Sequence, residues 1–214
     1  NPFLRDQQTG LIINALQQAN IPLPDDAQGR IDLFKELRTT IRSQTGQADF
    51  IQAGLLRASP YKSYLHKIFT TRGLPDSLLA IPFLESSFNP RAESKVGALG
   101  IWQFMPFISR HYLPKHNGID YRENIILSSL AASFLLEENL KILKRWDLAV
   151  TAYNSGTKHL VSMRRSLAAE NLNLALIIQN SDSENFGFAS KNFYSEFLAL
   201  VHTLAYRDEI SEIV

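Results

Sequence analysis

The sequence predicts an all-α fold, and three observations carry that prediction. Apolar residues recur at spacings of three and four through most of the 214 residues, as they do on one face of a helix. No stretch shows the strict apolar–polar alternation that a half-buried strand needs. Breaks such as NIPLPDD and Ser155-Gly156 punctuate the periodic segments. With 45% apolar residues, the chain can fill one large core or two small ones.

The elements follow in order. Residues 7–20 and 29–43 read as amphipathic helices, through Leu11 and Ala15 in the first and Ile31, Phe34, Leu37 and Ile41 in the second. Between them, Asp25 or Asp26 stands ready to cap the second helix. A short segment, 50–57, leads into a helix over 60–71 that Gly73 ends. Residues 76–85 carry no charge between their two ends and read as a buried helix, which Pro82 should bend by removing a hydrogen bond. Residues 89–100 hold too much Pro, Gly and Ser for a helix and predict an irregular loop or one small β-hairpin. The helix over 123–146 is the most regular, with Ile126, Leu130, Phe134, Leu135 and Leu140 expected to face the core. Helices over 148–154, 157–169, 172–179 and 190–206 complete the chain.

Several function classes are excluded or disfavoured. A net charge of +1 gives no nucleic-acid footprint. The longest apolar run, residues 78–84, is far short of the ~18 residues of a membrane span. Zero cysteines rule out a disulfide framework and a thiolate metal site. The five histidines (His66, His111, His116, His159, His202) include no HExxH-like pair, so neither a metal nor another cofactor is expected. No period of about 20–50 residues supports a solenoid. The chain opens on Asn1 with no visible leader, so it reads as a mature or trimmed fragment.

One stretch does not read as scaffold: IPFLESSFNPRAESKVGALGIWQFMP, residues 81–106. It carries a lone carboxylate, Glu85, to the end of the oiliest segment. A free Glu titrates near 4.3, but apolar burial disfavours its charged form and lifts that value by units. An acid so held suits protonation of a glycosidic oxygen; the plain alternative is a solvated Glu at a helix end. Ser86, Ser94 and Gln103 add hydroxyl and amide groups, while Trp102, Phe104 and Met105 add flat or soft apolar surface, the mixture that sugars need. Gly97 and Gly100 permit close approach of backbone to a ligand.

These residues resemble a known family. ESSFNPRAESKVGALGIWQFMP is similar to the signature of the family 23 lytic transglycosylases, of the membrane-bound type D branch, in which an ES motif precedes a G-x-W-Q-F-M-P segment. AYNSG (152–156), GFASKNFYSEFLA (187–199) and SPYKSYLHKIFTTRGLP (59–75) extend the resemblance over residues 59–204. It implies a lysozyme-like catalytic core over 59–214, with residues 1–58 as a helical extension packed on it. It further implies that Glu85 is the sole acid/base and that Ser86 supports its helix end. Ser94 would hydrogen-bond near the acid or the sugar, Gln103 and Met105 would line the glycan groove, and Tyr153, Asn154 and Tyr194 would meet the sugar at the cleavage point.

The implied reaction cleaves the β-1,4 bond between N-acetylmuramic acid and N-acetylglucosamine in peptidoglycan. Glu85 protonates the leaving oxygen and then, as carboxylate, deprotonates the muramoyl C6 hydroxyl, giving a 1,6-anhydro end. One residue departs from the expected pattern: Glu93. Its plain reading is a solvated loop charge beside Arg91 or Lys95. Its functional reading is a second carboxylate, activating water in a lysozyme-type hydrolase or receiving the ammonium of a de-N-acetylated wall. A glycan-binding module without turnover is the further alternative, and the presence of Glu85 argues against it. Peptidoglycan is thus the expected partner, with a monomer in the periplasm or cell envelope.

Overall fold

The computed structural model describes residues 21–40, 48–114, 118–167, 173–181 and 186–205. The expected helix over 7–20 lies outside them. The chain divides into two compact units, Asn1–Gly46 and Gln47–Val214. In the first, helix α1 (Ala27–Thr40) begins where Asp26 Oδ1 accepts from the Gly29 N–H at 2.7 Å, so Asp26 is the cap of the two candidates.

The second unit opens with α2 (Ala48–Ala58), a 3₁₀ turn (Ser59–Tyr61) and α3 (Lys62–Thr71). The Leu74 N–H then reaches back to the Phe69 carbonyl at 2.9 Å, stopping α3 where Gly73 predicts. Residues 76–85 are not one bent helix. A 3₁₀ segment, Asp76–Ala80, runs into α4 (Ile81–Ser86), and Pro82 sits in the first turn of α4, where no N–H is needed. Residues 106–112, for which the sequence predicts no helix, form α5 (Pro106–Tyr112), which starts the same way at Pro106.

Helix α6 (Ile125–Leu143) is the axis of this unit. It packs against α3, α5, α7 (Trp146–Ser155) and α8 (Thr157–Ser166). Its buried face corrects the expected one: Leu130 and Phe134 are exposed, while Ser128, Ser129, Ala131, Ala132, Ser133, Leu136 and Asn139 are buried. Small side chains let the neighbouring helices close in, and each buried serine hydroxyl donates to a carbonyl one turn back, as Ser129 Oγ does to Ile125 at 2.6 Å. Asn139, also buried, donates to the Ala149 carbonyl at 3.2 Å and accepts from Thr157 Oγ1 at 2.5 Å, tying α6 to α7 and α8.

Helices α9 (Leu174–Asn180) and α10 (Phe188–Ala205) follow, α10 packing on α7 and on the 76–86 segment. Leu143, Leu148, Ala152, Leu160, Ile177 and Phe186 form a second, smaller core. Among the described residues there is no sheet. The loop before α5 carries two single antiparallel bridges, Glu93 with Leu99 and Leu99 with Phe104, which is as far as the expected hairpin goes. The fold is all-α, and no described helix is long and apolar enough to cross a membrane.

Candidate active site

Glu85 lies in the last turn of α4, after the buried run Ile81, Pro82 and Phe83. The helix ends in two consecutive left-handed residues, Ser87 (φ 50°) and Phe88 (φ 60°). Non-glycine residues seldom adopt this conformation, at roughly 1–3 kcal/mol each. Two backbone bonds close the turn: Ser87 N–H donates to Phe83 at 2.9 Å, and Phe88 N–H donates to Pro82 at 3.0 Å. Ser86 fixes it sideways. Its hydroxyl donates to the Ile101 carbonyl at 3.0 Å and accepts from the Asn89 N–H at 3.2 Å.

The neighbouring carbonyl, that of Trp102, accepts from the Tyr153 hydroxyl of α7 at 2.6 Å. Adjacent peptide groups thus receive one bond from the residue beside Glu85 and one from the AYN motif. Trp102 itself is wholly buried, stacked on Phe69 at 5.9 Å, with its indole N–H on Ser129 Oγ at 2.8 Å. Phe104 is 2% exposed. Neither ring offers a face to a sugar, contrary to the expectation from composition; they form the floor beneath the site.

Glu85 keeps a half-buried side chain, yet protein crowds its carboxyl and no described residue gives it a hydrogen bond or ion pair. The lost hydration is the whole cause that pushes its titration up to about 8. Burial raises the Tyr153 phenol well above its ordinary value, and the nearby Glu85 charge adds to the effect. The two groups therefore share one low-dielectric space.

The remaining candidates separate. Ser94 Oγ accepts from the Ala98 N–H at 2.9 Å and closes the turn at 94–97. Gln103 (φ 47°) gives both amide hydrogens to its own loop, on Ala92 and Gly100 carbonyls at 2.9 Å each, and no described residue donates to its Oε1. Met105 is half-buried at the start of α5. Asn154 is exposed, its Oδ1 accepting from Ser190 Oγ of α10 at 2.7 Å, which joins the AYN motif to the GFASKNFYSEFLA segment. Tyr194 stacks on Phe197 at 5.9 Å; burial raises its phenol, and its charged neighbours are Asp147 and Arg145 rather than Glu85. Glu93 is exposed, with no ion pair to Arg91 or Lys95. Gly100 makes its close approach to the chain's own backbone: a Cβ there would stand 2.0 Å from the Arg122 carbonyl oxygen.

Two arginines in the site's frame went unread in the sequence. Arg122 pairs with Asp120 and donates to the carbonyls of Gly97 and Phe104 at 2.7 and 2.9 Å. Arg57 of α2 donates to the carbonyls of Ser87 and Phe88. Both hold backbone far away in sequence, and no local pattern signals such a bond. No described group of His, Asp and Glu side chains forms a metal site.

Comparison with known proteins fits this arrangement. The family model "Transglycosylase SLT domain" matches residues 67–174. Membrane-bound lytic murein transglycosylase D of Escherichia coli K12 is 37% identical over 103 residues, which is 47% of this chain and 23% of that protein. The same enzyme of Escherichia coli O6:H1 aligns equally. A putative tributyltin chloride resistance protein of Alteromonas sp. (strain M-1) is 33% identical over 102 residues, 47% of this chain and 49% of that protein. The match therefore spans less than half the length of each of these relatives. The family match covers just over half of this chain and takes in Glu85, the 101–104 loop and Tyr153, so the protein belongs to the transglycosylase SLT-domain family, with its lysozyme-like all-α fold.

Proposed function

We propose that this chain cleaves peptidoglycan glycan strands at the β-1,4 bond between N-acetylmuramic acid and N-acetylglucosamine, with Glu85 as the single acid and base. The supporting observation is the surrounding of Glu85: protein crowds the carboxyl, no described cation pairs with it, and burial pushes it up to about 8. At pH 7 such a carboxyl is about nine-tenths protonated, so it can protonate the departing glycosidic oxygen. The same lost hydration makes its conjugate carboxylate a stronger base than an exposed Glu. It then takes the proton of the muramoyl C6 hydroxyl, whose oxygen closes on C1 to leave a 1,6-anhydro end. No second carboxylate is required, and Glu93, exposed and without an ion pair among the described residues, takes no part in this reading.

Ser86 and Tyr153 act here by holding the acid's wall on the carbonyls of Ile101 and Trp102. Ser94, Gln103 Oε1, Met105, Asn154 and Tyr194 are proposed to line the sugar path. The substrate places the enzyme in the cell envelope, in keeping with the relatives named membrane-bound murein enzymes. Digestion of purified sacculi followed by mass spectrometry of the fragments tests the proposal. Anhydro ends are expected; reducing ends alone would replace the transglycosylase with a hydrolase.

A further inference from the structure

Helix α2 lies before the stretch that matches the family, yet it belongs to the same compact unit as Glu85. Arg57, near its end, donates from Nη2 to the Ser87 carbonyl at 2.6 Å and from Nε to the Phe88 carbonyl at 3.2 Å. These are the two left-handed residues that close α4. One turn earlier, Gly54 is buried where a Cβ would stand 2.7 Å from the same Ser87 oxygen and 3.1 Å from Phe83 Cδ1. Only glycine lets α2 come this near without displacing the turn.

We propose that Arg57 is the positioning residue for Glu85, clamping the strained end of α4 so that the acid stays in its apolar wall. The inference rests on the reading of Glu85 as acid and base. Three features support it. Helix α4 has only six residues, too few to hold its own last turn against alternatives. A guanidinium fork reaches two successive carbonyls from one rigid plane, whereas an ammonium on a flexible stem holds them less firmly. The cation also sits on backbone rather than on the carboxylate. A guanidinium against Glu85 would hold the acid ionised, the reverse of what the reaction needs, and burial alone acts on Glu85. No described carboxylate pairs with Arg57, and the titratable group that faces Glu85 from across the site is Tyr153.

The test follows Glu85 directly, by ¹³C NMR titration of labelled glutamate side chains, beside kcat and KM on soluble glycan strands. In Arg57→Ala the Glu85 midpoint should fall by about one pH unit or more, as the freed turn lets the carboxyl reach water. The value of kcat should fall roughly 10–100-fold with KM nearly unchanged. Arg57→Lys should recover only part of both, and added guanidinium ion should raise kcat of Arg57→Ala. A folded Arg57→Ala protein with the wild-type midpoint and kcat overturns the proposal, as does a lowered melting temperature with both readouts unmoved. Should Arg57→Ala not fold, Arg57→Gln is judged by the same two readouts. Glu85→Gln in the same assay keeps the proposals apart: if it still cleaves, the acid/base reading fails, while the midpoint goes on testing Arg57.

Discussion

Two glutamates of this molecule sit in opposite surroundings. Glu85, at the end of α4, pairs with no cation among the described residues and is pushed up by burial. Glu137, in the seam between α3 and α6, is pulled below its ordinary range, first by the hydrogen bond from Lys141 Nζ at 2.7 Å and then by the charge of Arg72. Arg72, paired with Glu137, also lies 3.8 Å over the Phe134 ring. The same kind of side chain thus favours its neutral form in one place and its anion in the other. What differs is whether lost water is replaced by charge or by nothing.

Breaking the comparison at its first member has the largest expected effect. Glu85→Gln should keep the fold, by circular dichroism, and lower release of soluble fragments from purified peptidoglycan by about 10²–10⁴-fold. Retained digestion would end the acid/base reading.

Titration sharpens the same contrast. Because the first step of the proposed reaction needs the protonated form, kcat/KM should decline about tenfold per pH unit above about 8. Stability carries the complementary sign. Below the unfolded value near 4.5 both states hold the proton; between 4.5 and about 8 the unfolded chain releases it while the native protein retains it. Wild-type stability should therefore fall across that window, and Glu85→Gln should not share the fall. Melting temperatures of the two proteins should diverge from pH 4.5 to 8 and run parallel above it; a constant difference would contradict the burial of Glu85.

A smaller change tests the wall. Tyr153→Phe leaves the Trp102 carbonyl without its donor and should destabilise the protein by about 1–3 kcal/mol in urea unfolding. It should also shift the Glu85 limb of the pH profile, since the two groups share one space.

Smallest of all is the second member of the comparison. Glu137→Gln breaks part-exposed ion pairs, which contribute little, and should leave digestion within about twofold of wild type. A large loss of activity there would mean that the α3–α6 seam is coupled to the acid.

Read alone, the chain predicted the all-α class and singled out Glu85 as the candidate acid. Periodicity located the bodies of the longer described helices, because each turn's apolar spacing is a local property, while the short α5 and the 3₁₀ segment before α4 left too few turns to read; the lone carboxylate closing an apolar run marked Glu85. Where that reading missed, the deciding contacts were distant ones. Leu130 and Phe134 turned outward because the partners of α6 come close enough to want serine and alanine. Trp102 went under the site rather than onto it, because Phe69 and Ser129 enclose it. Only the tertiary structure joined Arg57 to Ser87 and Phe88, Tyr153 to Trp102, and Ser190 to Asn154. A side chain that bonds to a remote backbone carbonyl leaves no periodic mark in the chain, since any residue type supplies that carbonyl.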